Sequence, residues 1–253
     1  MRSGRDICER NDTVFPNLSY NCIHQYSNIP MTSQQSRTVV VTGFGLFRDH
    51  QVNPSWESIR DGRLRIDRPG IRLITKQVDV CYETVDGVVE DLWQTYNPWL
   101  VIHVGLAAHE SSIRIEQSAR HGPYVNDDIK SCAPHVHLRG QQQDKGHYQC
   151  LPCNFEQSKT CINIDEICDK LNLLYEQGKV ALPTRKSCDA GLYVCEYIYF
   201  KSLSISDKAI FIHVPDIINF KLDDITLALK YVIEIIIDQM TACRTEAHEA
   251  RMI

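Results

Sequence analysis

The chain has 253 residues, of which 43% are hydrophobic and 23% charged, and its formal net charge at pH 7 is −5. This composition is that of a globular domain whose core needs no disulfide or metal staples. The mildly acidic balance gives no electrostatic reason to expect nucleic acid as a partner. The most apolar run, around residues 228–240, carries charges and is too short to span a membrane.

The first part of the chain differs from the rest. Residues 1–36 are rich in Ser, Asn and Gln and have no sustained hydrophobic period, so we interpret them as a poorly ordered extension. They lack the apolar centre of a secretory signal and contain acidic residues that a transit peptide avoids, which favours a cytoplasmic location. In that reducing compartment most of the eleven cysteines should be free thiols.

From Thr38 onward, short apolar runs alternate with longer periodic ones, which is typical of an α/β sheet with helices packed on its faces. The first half of this pattern predicts three strands and two helices. In chain order they are a strand at 38–44, a helix at 54–64, a strand at 71–80, a helix at 82–97 and a central strand at 99–105.

The second half continues the alternation after an interruption. Residues 111–118 predict another strand, and a polar excursion at 120–160 follows that is either functional or disordered. Beyond it we predict a helix at 163–174, a strand-like segment at 178–187, a buried strand at 209–215 and a closing helix at 223–243 that is capped by Asp223 or Asp224. The pattern therefore places a single domain at 37–245 and a tail at 246–253.

The first candidate site is the glycine pair in the stretch TGFGLF, residues 42–47. The pair follows a buried strand, as in a dinucleotide-binding turn, but Arg48 occupies the position of the third glycine that such a turn requires. The alternative is a tight turn that needs glycine dihedrals. Under either interpretation, Phe44 and Phe47 lie at the carboxyl end of a strand, where ligand pockets in α/β sheets usually form.

The second candidate is a spacing of soft ligands in the excursion. Cys132 and His135 are followed by Cys150 and Cys153 in paired spacing, as in a structural zinc site. The same spacing arises by coincidence in a loop rich in Cys and His, and we favour that interpretation. We expect no metal and no cofactor.

The third candidate is Cys195, which lies where a bend at Gly191 gives way to a helical run. A helix N-terminus lowers the pKa of a thiol and offers N–H groups to an oxyanion. His213, at the end of the next strand, could act as general base, and Glu116 could orient its imidazole. Composition alone leaves open whether Cys195 is this nucleophile or a small buried hydrophobic residue.

Six motifs occur here in the order and approximate spacing of pyroglutamyl-peptidase I, a family of cytosolic cysteine peptidases. The chain resembles this family from Thr38 to Cys243, and the loop with scattered cysteines resembles its animal branch. The motifs are VVVTGFGLF, VNPSWES, VIHVGLAA, IRIEQSARHGPY, SCDAGLYVCEYIYFKSL and FIHVP.

The resemblance implies a single-domain α/β fold of the phosphorylase/hydrolase-like kind, with a central mixed, largely parallel sheet and helices on both faces. It implies an omega peptidase, a monomer or weak homo-oligomer, that cleaves pyroglutamyl peptides through an acyl-thioester. Cys195 would be the nucleophile, His213 the base and Glu116 the orienting acid. The residues that match those enclosing the pyrrolidone ring are Phe44, Phe47, Tyr193 and Val194.

Several positions depart from the family pattern. Leu46 replaces the usual Pro, Leu106 replaces a Gln of bacterial members, and Glu196 follows the nucleophile where Asn or Asp is usual. A weakly active or inactive relative that binds N-terminally blocked peptides is therefore the alternative hypothesis. A nucleoside-handling α/β protein is a third, by fold analogy alone, but the sequence contains no phosphate cradle.

Overall fold

The structure, a computed structural model, describes residues 36–47, 51–60, 62–134 and 157–249, with side chains as far as residue 242. Eight strands lie in this part of the chain: β1 Arg37–Phe44, β2 Ile71–Val78, β3 Leu100–Leu106, β4 Ile113–Glu116, β5 Ser118–Arg120, β6 Gln157–Lys159, β7 Thr184–Ser187 and β8 Ala209–Val214. The helices described are α1 Pro54–Glu57, α2 Tyr82–Tyr96, α3 Ile164–Glu176, α4 Val194–Leu203 and α5 Leu222–Glu249.

A six-stranded sheet in the order β2-β1-β3-β8-β4-β7 forms the centre of the domain. The first four strands in this order are mutually parallel. β4 is antiparallel to β8 and parallel to β7, so the last two strands run the opposite way. β5 and β6 form a separate antiparallel pair. The sheet is thus mixed but mostly parallel.

Helices cover both faces of this sheet. Successive side chains of a strand point to opposite sides and therefore pack into different cores. In β1, Val39 and Val41 belong to a core that also contains the buried faces of α3 and α5. Val40 belongs to a second core, with the buried faces of α2 and α4. All three valines are fully buried, as expected for a strand covered on both sides. These observations confirm the predicted single-domain α/β class.

Three of the predicted elements were wrong in detail. The helix predicted at 54–64 ends at Glu57, and the chain then turns through Gly62, whose φ of 71° is incompatible with a helix. The strand predicted at 178–187 is confined to Thr184–Ser187, directly after Pro183, which has no N–H for a ladder. The last helix begins at Leu222, so Asp223 and Asp224 lie in its first turn and do not cap it.

The predicted excursion and the zinc spacing are described only in part. Cys132 lies in the described chain, whereas His135, Cys150 and Cys153 lie outside the described residues, as does Arg48. Within residues 36–134 and 157–249, apart from the short gaps, no three His, Cys, Asp or Glu side chains cluster as metal ligands would. In the same part of the chain, no helix is both long enough and apolar enough to cross a membrane.

Candidate active site

Cys195 is the second residue of α4, so it lies at the start of a helix, as the sequence predicted. Tyr193 precedes this ten-residue helix in an extended conformation. The chain approaches through Gly191, with a φ of 99°, and Leu192, with a φ of 48°, so two consecutive residues adopt left-handed dihedrals. This sharp entry places the thiol at the positive end of a helix dipole, beside N–H groups that lack helical partners.

Gly105 shows how closely this thiol approaches the sheet. A Cβ added at Gly105 would lie 3.0 Å from the Cys195 Sγ and 2.6 Å from the Cζ of Phe211. Gly105, in β3, is the register partner of His213 in β8. The absence of a side chain at Gly105 therefore lets the thiol reach the strand position next to His213.

Glu116 and His213 are joined by a hydrogen bond of 2.8 Å between the Glu116 Oε1 and the His213 Nδ1. The antiparallel pairing of β4 and β8 brings them together, and the Glu116 side chain is completely buried. Tyr199, one helical turn after Cys195, donates its hydroxyl to the backbone carbonyl of Glu116 at 2.8 Å. The structure thus joins Glu116 to His213 and places the Cys195 thiol against the β3 position that pairs with His213.

Arg114 is a fourth residue at this site, and the sequence did not indicate it. Its Nε donates to the Glu116 Oε1 at 2.8 Å, and its Nη2 lies 3.2 Å from the His213 Nδ1. Its Nη1 donates to the Glu110 Oε1 at 3.1 Å. The other Glu116 oxygen, Oε2, is buried without a hydrogen-bond partner.

The pKa shifts favour neutral forms of the thiol and the imidazole. Burial, reinforced by the charge of Glu116, raises the pKa of the Cys195 thiol to about 12, while Arg114 acts in the opposite direction. Burial lowers the pKa of His213, although the hydrogen bond and charge of Glu116 act to raise it. Near neutral pH we therefore expect a thiol beside a neutral imidazole, and not a thiolate–imidazolium pair.

The sequence marked Glu196 as a possible obstacle to thiolate formation. In the structure its carboxylate is engaged by other groups. Its carboxylate is fully buried and forms a bidentate pair with Arg120, with two N···O distances of 2.8 Å. It also accepts the backbone N–H of Arg120 at 2.8 Å and that of Leu192 at 2.6 Å. The charge of Glu196 raises the pKa of Cys195 less than burial and the charge of Glu116 do. Its side chain holds the loop before Cys195.

Of the four residues predicted to enclose the substrate ring, two are partly accessible. Phe47 and Tyr193 have ring centroids 5.7 Å apart, and Tyr82, which the sequence did not suggest, packs edge-on against Tyr193 at 6.0 Å. Phe44 is almost completely buried and Val194 fully so, both within the core that α2 and α4 share. Leu106, at the end of β3, is partly buried, and Leu46 is exposed.

The comparisons with known proteins agree on one family. A profile of the pyroglutamyl peptidase family matches residues 37–249. The chain is 28% identical to human pyroglutamyl-peptidase 1 over 208 residues, which cover 81% of this chain and 92% of the human protein. It is 26% identical to a pyrrolidone-carboxylate peptidase of Thermosipho melanesiensis over 214 residues, 78% of this chain and 96% of that one.

Solved structures extend the similarity to the fold. A mutant pyrrolidone carboxyl peptidase of the hyperthermophile Pyrococcus furiosus superimposes with a TM-score of 0.63 at 25% identity, covering 80% of this chain and 99% of that one. Pyroglutamyl peptidase I of Bacillus amyloliquefaciens has a TM-score of 0.59 at 24% identity. Because the family profile matches from the first strand to the end of the last helix, the chain belongs to the pyroglutamyl peptidase family and is a cysteine-type peptidase.

Proposed function

We propose that the protein is an omega peptidase that hydrolyses the bond after an N-terminal pyroglutamyl residue, using Cys195, His213 and Glu116. The observation that carries the proposal is the 2.8 Å bond between Glu116 and His213, beside a thiol that touches the neighbouring strand at Gly105. The names of the relatives, pyroglutamyl-peptidase and pyrrolidone-carboxylate peptidase, support the substrate class.

Glu116 determines which nitrogen of His213 is free to act. A carboxylate is an acceptor only, so the Nδ1 that faces it at 2.8 Å carries the imidazole proton. The Nε2 of His213 is then unprotonated and able to accept the proton of the Cys195 thiol. Glu116 also stabilises the imidazolium that results, as the acid of a catalytic triad does.

The reaction proceeds in two stages. As the Cys195 sulfur attacks the pyroglutamyl carbonyl carbon, its proton moves to His213, because the resting thiol is neutral. Backbone N–H groups at the start of α4 stabilise the oxyanion. The C–N bond then breaks, and His213 returns the proton to the leaving amine. Water next loses a proton to His213 and attacks the thioester, and Cys195 leaves as a thiol, regaining that proton.

The aromatic side chains suit a neutral lactam. Pyroglutamate has no charged N-terminus, and its ring can enter a mostly apolar pocket against Phe47 and Tyr193. An ordinary N-terminal ammonium would have to lose its hydration there, which is costly. We propose that Phe44 and Val194 shape the wall of this pocket from within the core. A cytoplasmic location, where thiols stay reduced, suits such a nucleophile.

A fluorogenic pyroglutamyl-aminocoumarin substrate tests the proposal. We expect the wild-type protein to release the fluorophore and Cys195→Ser to lose at least about a thousandfold in kcat/KM. Cys132→Ser, at an exposed thiol, is the matched control and should retain wild-type activity. Absence of turnover by the wild-type protein, together with retained binding of a pyroglutamyl peptide, would overturn the proposal in favour of a binding protein.

A further inference from the structure

Arg114 faces His213 directly across the β4–β8 pair. The two residues are antiparallel register partners, and Glu116 lies two positions further along β4 on the same face. Directly opposed residues on antiparallel strands have Cβ atoms only about 5 Å apart. Strand register, and not a mobile loop, therefore places a cation beside the general base.

The hydrogen bonds converge on a single oxygen. The Glu116 Oε1 accepts from the Arg114 Nε and from the His213 Nδ1, each at 2.8 Å. Because that Nδ1 already carries a proton, the Arg114 Nη2 at 3.2 Å has no lone pair to donate to. The guanidinium and the imidazole are thus two donors side by side that share one carboxylate oxygen.

We propose that Arg114 is a positioning residue for the proposed reaction: its guanidinium orients the Glu116 carboxylate and keeps His213 neutral, with the His213 proton on Nδ1. The pair of Arg114 and Glu116 has no net charge, so the negative charge that develops on Cys195 and on the oxyanion is not opposed by an uncompensated carboxylate. This inference rests on the proposed triad and deepens it.

The groups that face His213 come from three elements. β4 supplies the guanidinium of Arg114 and the carboxylate of Glu116. α4 supplies the Cys195 thiol, and β3 supplies Gly105, which has no side chain. Removing the positive charge on β4 therefore leaves the negative charge of Glu116 to dominate, and it favours the imidazolium form of His213.

An ion pair with Glu110 holds Arg114 in place. Glu110, in the turn before β4, accepts from the Arg114 Nη1 at 3.1 Å and from the Arg185 Nη2 at 2.6 Å. The Glu110 charge itself acts to raise the pKa of His213, while that of Arg114 acts to lower it. Arg114 consequently counteracts two carboxylates near the base.

The substitution Arg114→Gln tests the proposal through the pH profile. Its loss of positive charge should raise the pKa of His213 by about one unit, because the guanidinium is a like charge that disfavours the imidazolium. Hydrolysis of the fluorogenic substrate should then fall by up to about tenfold at pH values below the His213 pKa and much less near pH 8, because the base is protonated on the acid side. Arg72→Gln, an exposed residue on the far edge strand β2, makes the same change in net charge and should leave the profile unchanged.

Nitrogen NMR of protein labelled with 15N at histidine supplies a readout that needs no substrate. With the His213 signal assigned by His213→Gln, we expect the neutral Nδ1–H tautomer in the wild-type protein and an upward-shifted titration in Arg114→Gln. Arg114→Lys, which keeps the charge but loses the planar fork, should restore most of the wild-type titration.

The outcomes separate this inference from the proposed function. A uniform loss of activity at all pH values with an unmoved His213 titration would make Arg114 merely structural and would overturn the inference. An Nε2–H tautomer in the wild-type protein would overturn it even if the variants do not fold. If the wild-type protein hydrolyses no pyroglutamyl substrate, the proposed function fails, whereas the NMR titration still decides the role of Arg114.

Discussion

Gly105 lets the Cys195 thiol approach the sheet closely because it has no side chain. A Cβ at this position would meet the Cζ of Phe211 at 2.6 Å as well as the Cys195 Sγ at 3.0 Å. The Phe211 ring is fully buried and packed against Tyr199 and His213, so it has little room to move.

We therefore expect Gly105→Ala to lower kcat/KM by about tenfold or more, because the thiol is displaced from its attacking position, and to cost roughly 1–3 kcal/mol of unfolding free energy through overpacking. Gly87→Ala is the matched control, since a Cβ there meets nothing within 4 Å. In helix α2 it should stabilise the protein by up to about 1 kcal/mol. Wild-type kinetics in Gly105→Ala, measured with the fluorogenic substrate, would contradict the close approach.

Single residues can be predicted from the sequence where a motif and its chemistry indicate them. A residue whose place depends on strand register cannot be predicted in this way. Cys195, His213 and Glu116 could be found from the helix start and the order of motifs. Arg114 could not, because its place beside His213 depends on which residues of β4 and β8 face each other. The sequence indicates only that Arg114 lies two residues before Glu116 in an alternating strand.

Helix α4 is the element on which the site depends, and its entry is fixed by Glu196. The buried carboxylate joins β5 to the start of α4 through Arg120 and holds the N–H of Leu192, whose φ of 48° is strained for a residue with a side chain. The Arg120 guanidinium also pairs with Asp189 in the loop before the helix. One ion cluster therefore fixes the residues that lead to Cys195.

The substitution Glu196→Ala should destabilise the protein by roughly 3–5 kcal/mol, because the partly buried Arg120 loses its buried carboxylate partner and two backbone N–H groups lose their acceptor. It should also lower kcat/KM, since the loop before the nucleophile loses its anchor. Glu83→Ala removes the same charge from an exposed ion pair with Lys130 and should cost less than about 1 kcal/mol. Equal stabilities of the two variants in urea denaturation would show that the buried cluster has no special role.

Most elements of the sheet could be predicted, because apolar periodicity is a direct consequence of burial on one or both faces. Two predicted boundaries were wrong because a single backbone feature limits the helix or the strand there. The helix that starts at Pro54 lasts four residues before the turn at Gly62, and the strand β7 starts only after Pro183. Apolar residues follow the end of the helix and precede the start of β7, so the hydrophobic pattern could not mark either boundary.

On the scale of the whole domain, a buried polar chain connects the sheet to α4. The imidazole of His103 in β3 bonds through Nδ1 to the Thr42 hydroxyl in β1 and through Nε2 to the Ser202 hydroxyl in α4, each at 2.7 Å. His103 is completely inaccessible, and burial lowers its pKa to about 3. The ring is neutral in the folded protein, with both nitrogens satisfied by hydroxyl groups that can donate or accept.

This histidine makes folding stability depend on pH. Below an unfolded-state pKa of about 6.5, the unfolded chain binds a proton at His103 that the folded protein does not, so the free energy of unfolding falls by up to about 1.4 kcal/mol for each pH unit of acidification. His103→Gln can still hydrogen-bond but cannot titrate, and we expect it to lose that part of the slope between about pH 6.5 and pH 4. His109→Gln, at an exposed histidine, should keep the wild-type slope. Urea denaturation at several pH values measures all three proteins, and His213 contributes equally to each. An identical slope for wild type and His103→Gln would mean that His103 binds a proton as readily in the folded domain as in the unfolded chain, with both hydroxyl groups then accepting from the charged ring.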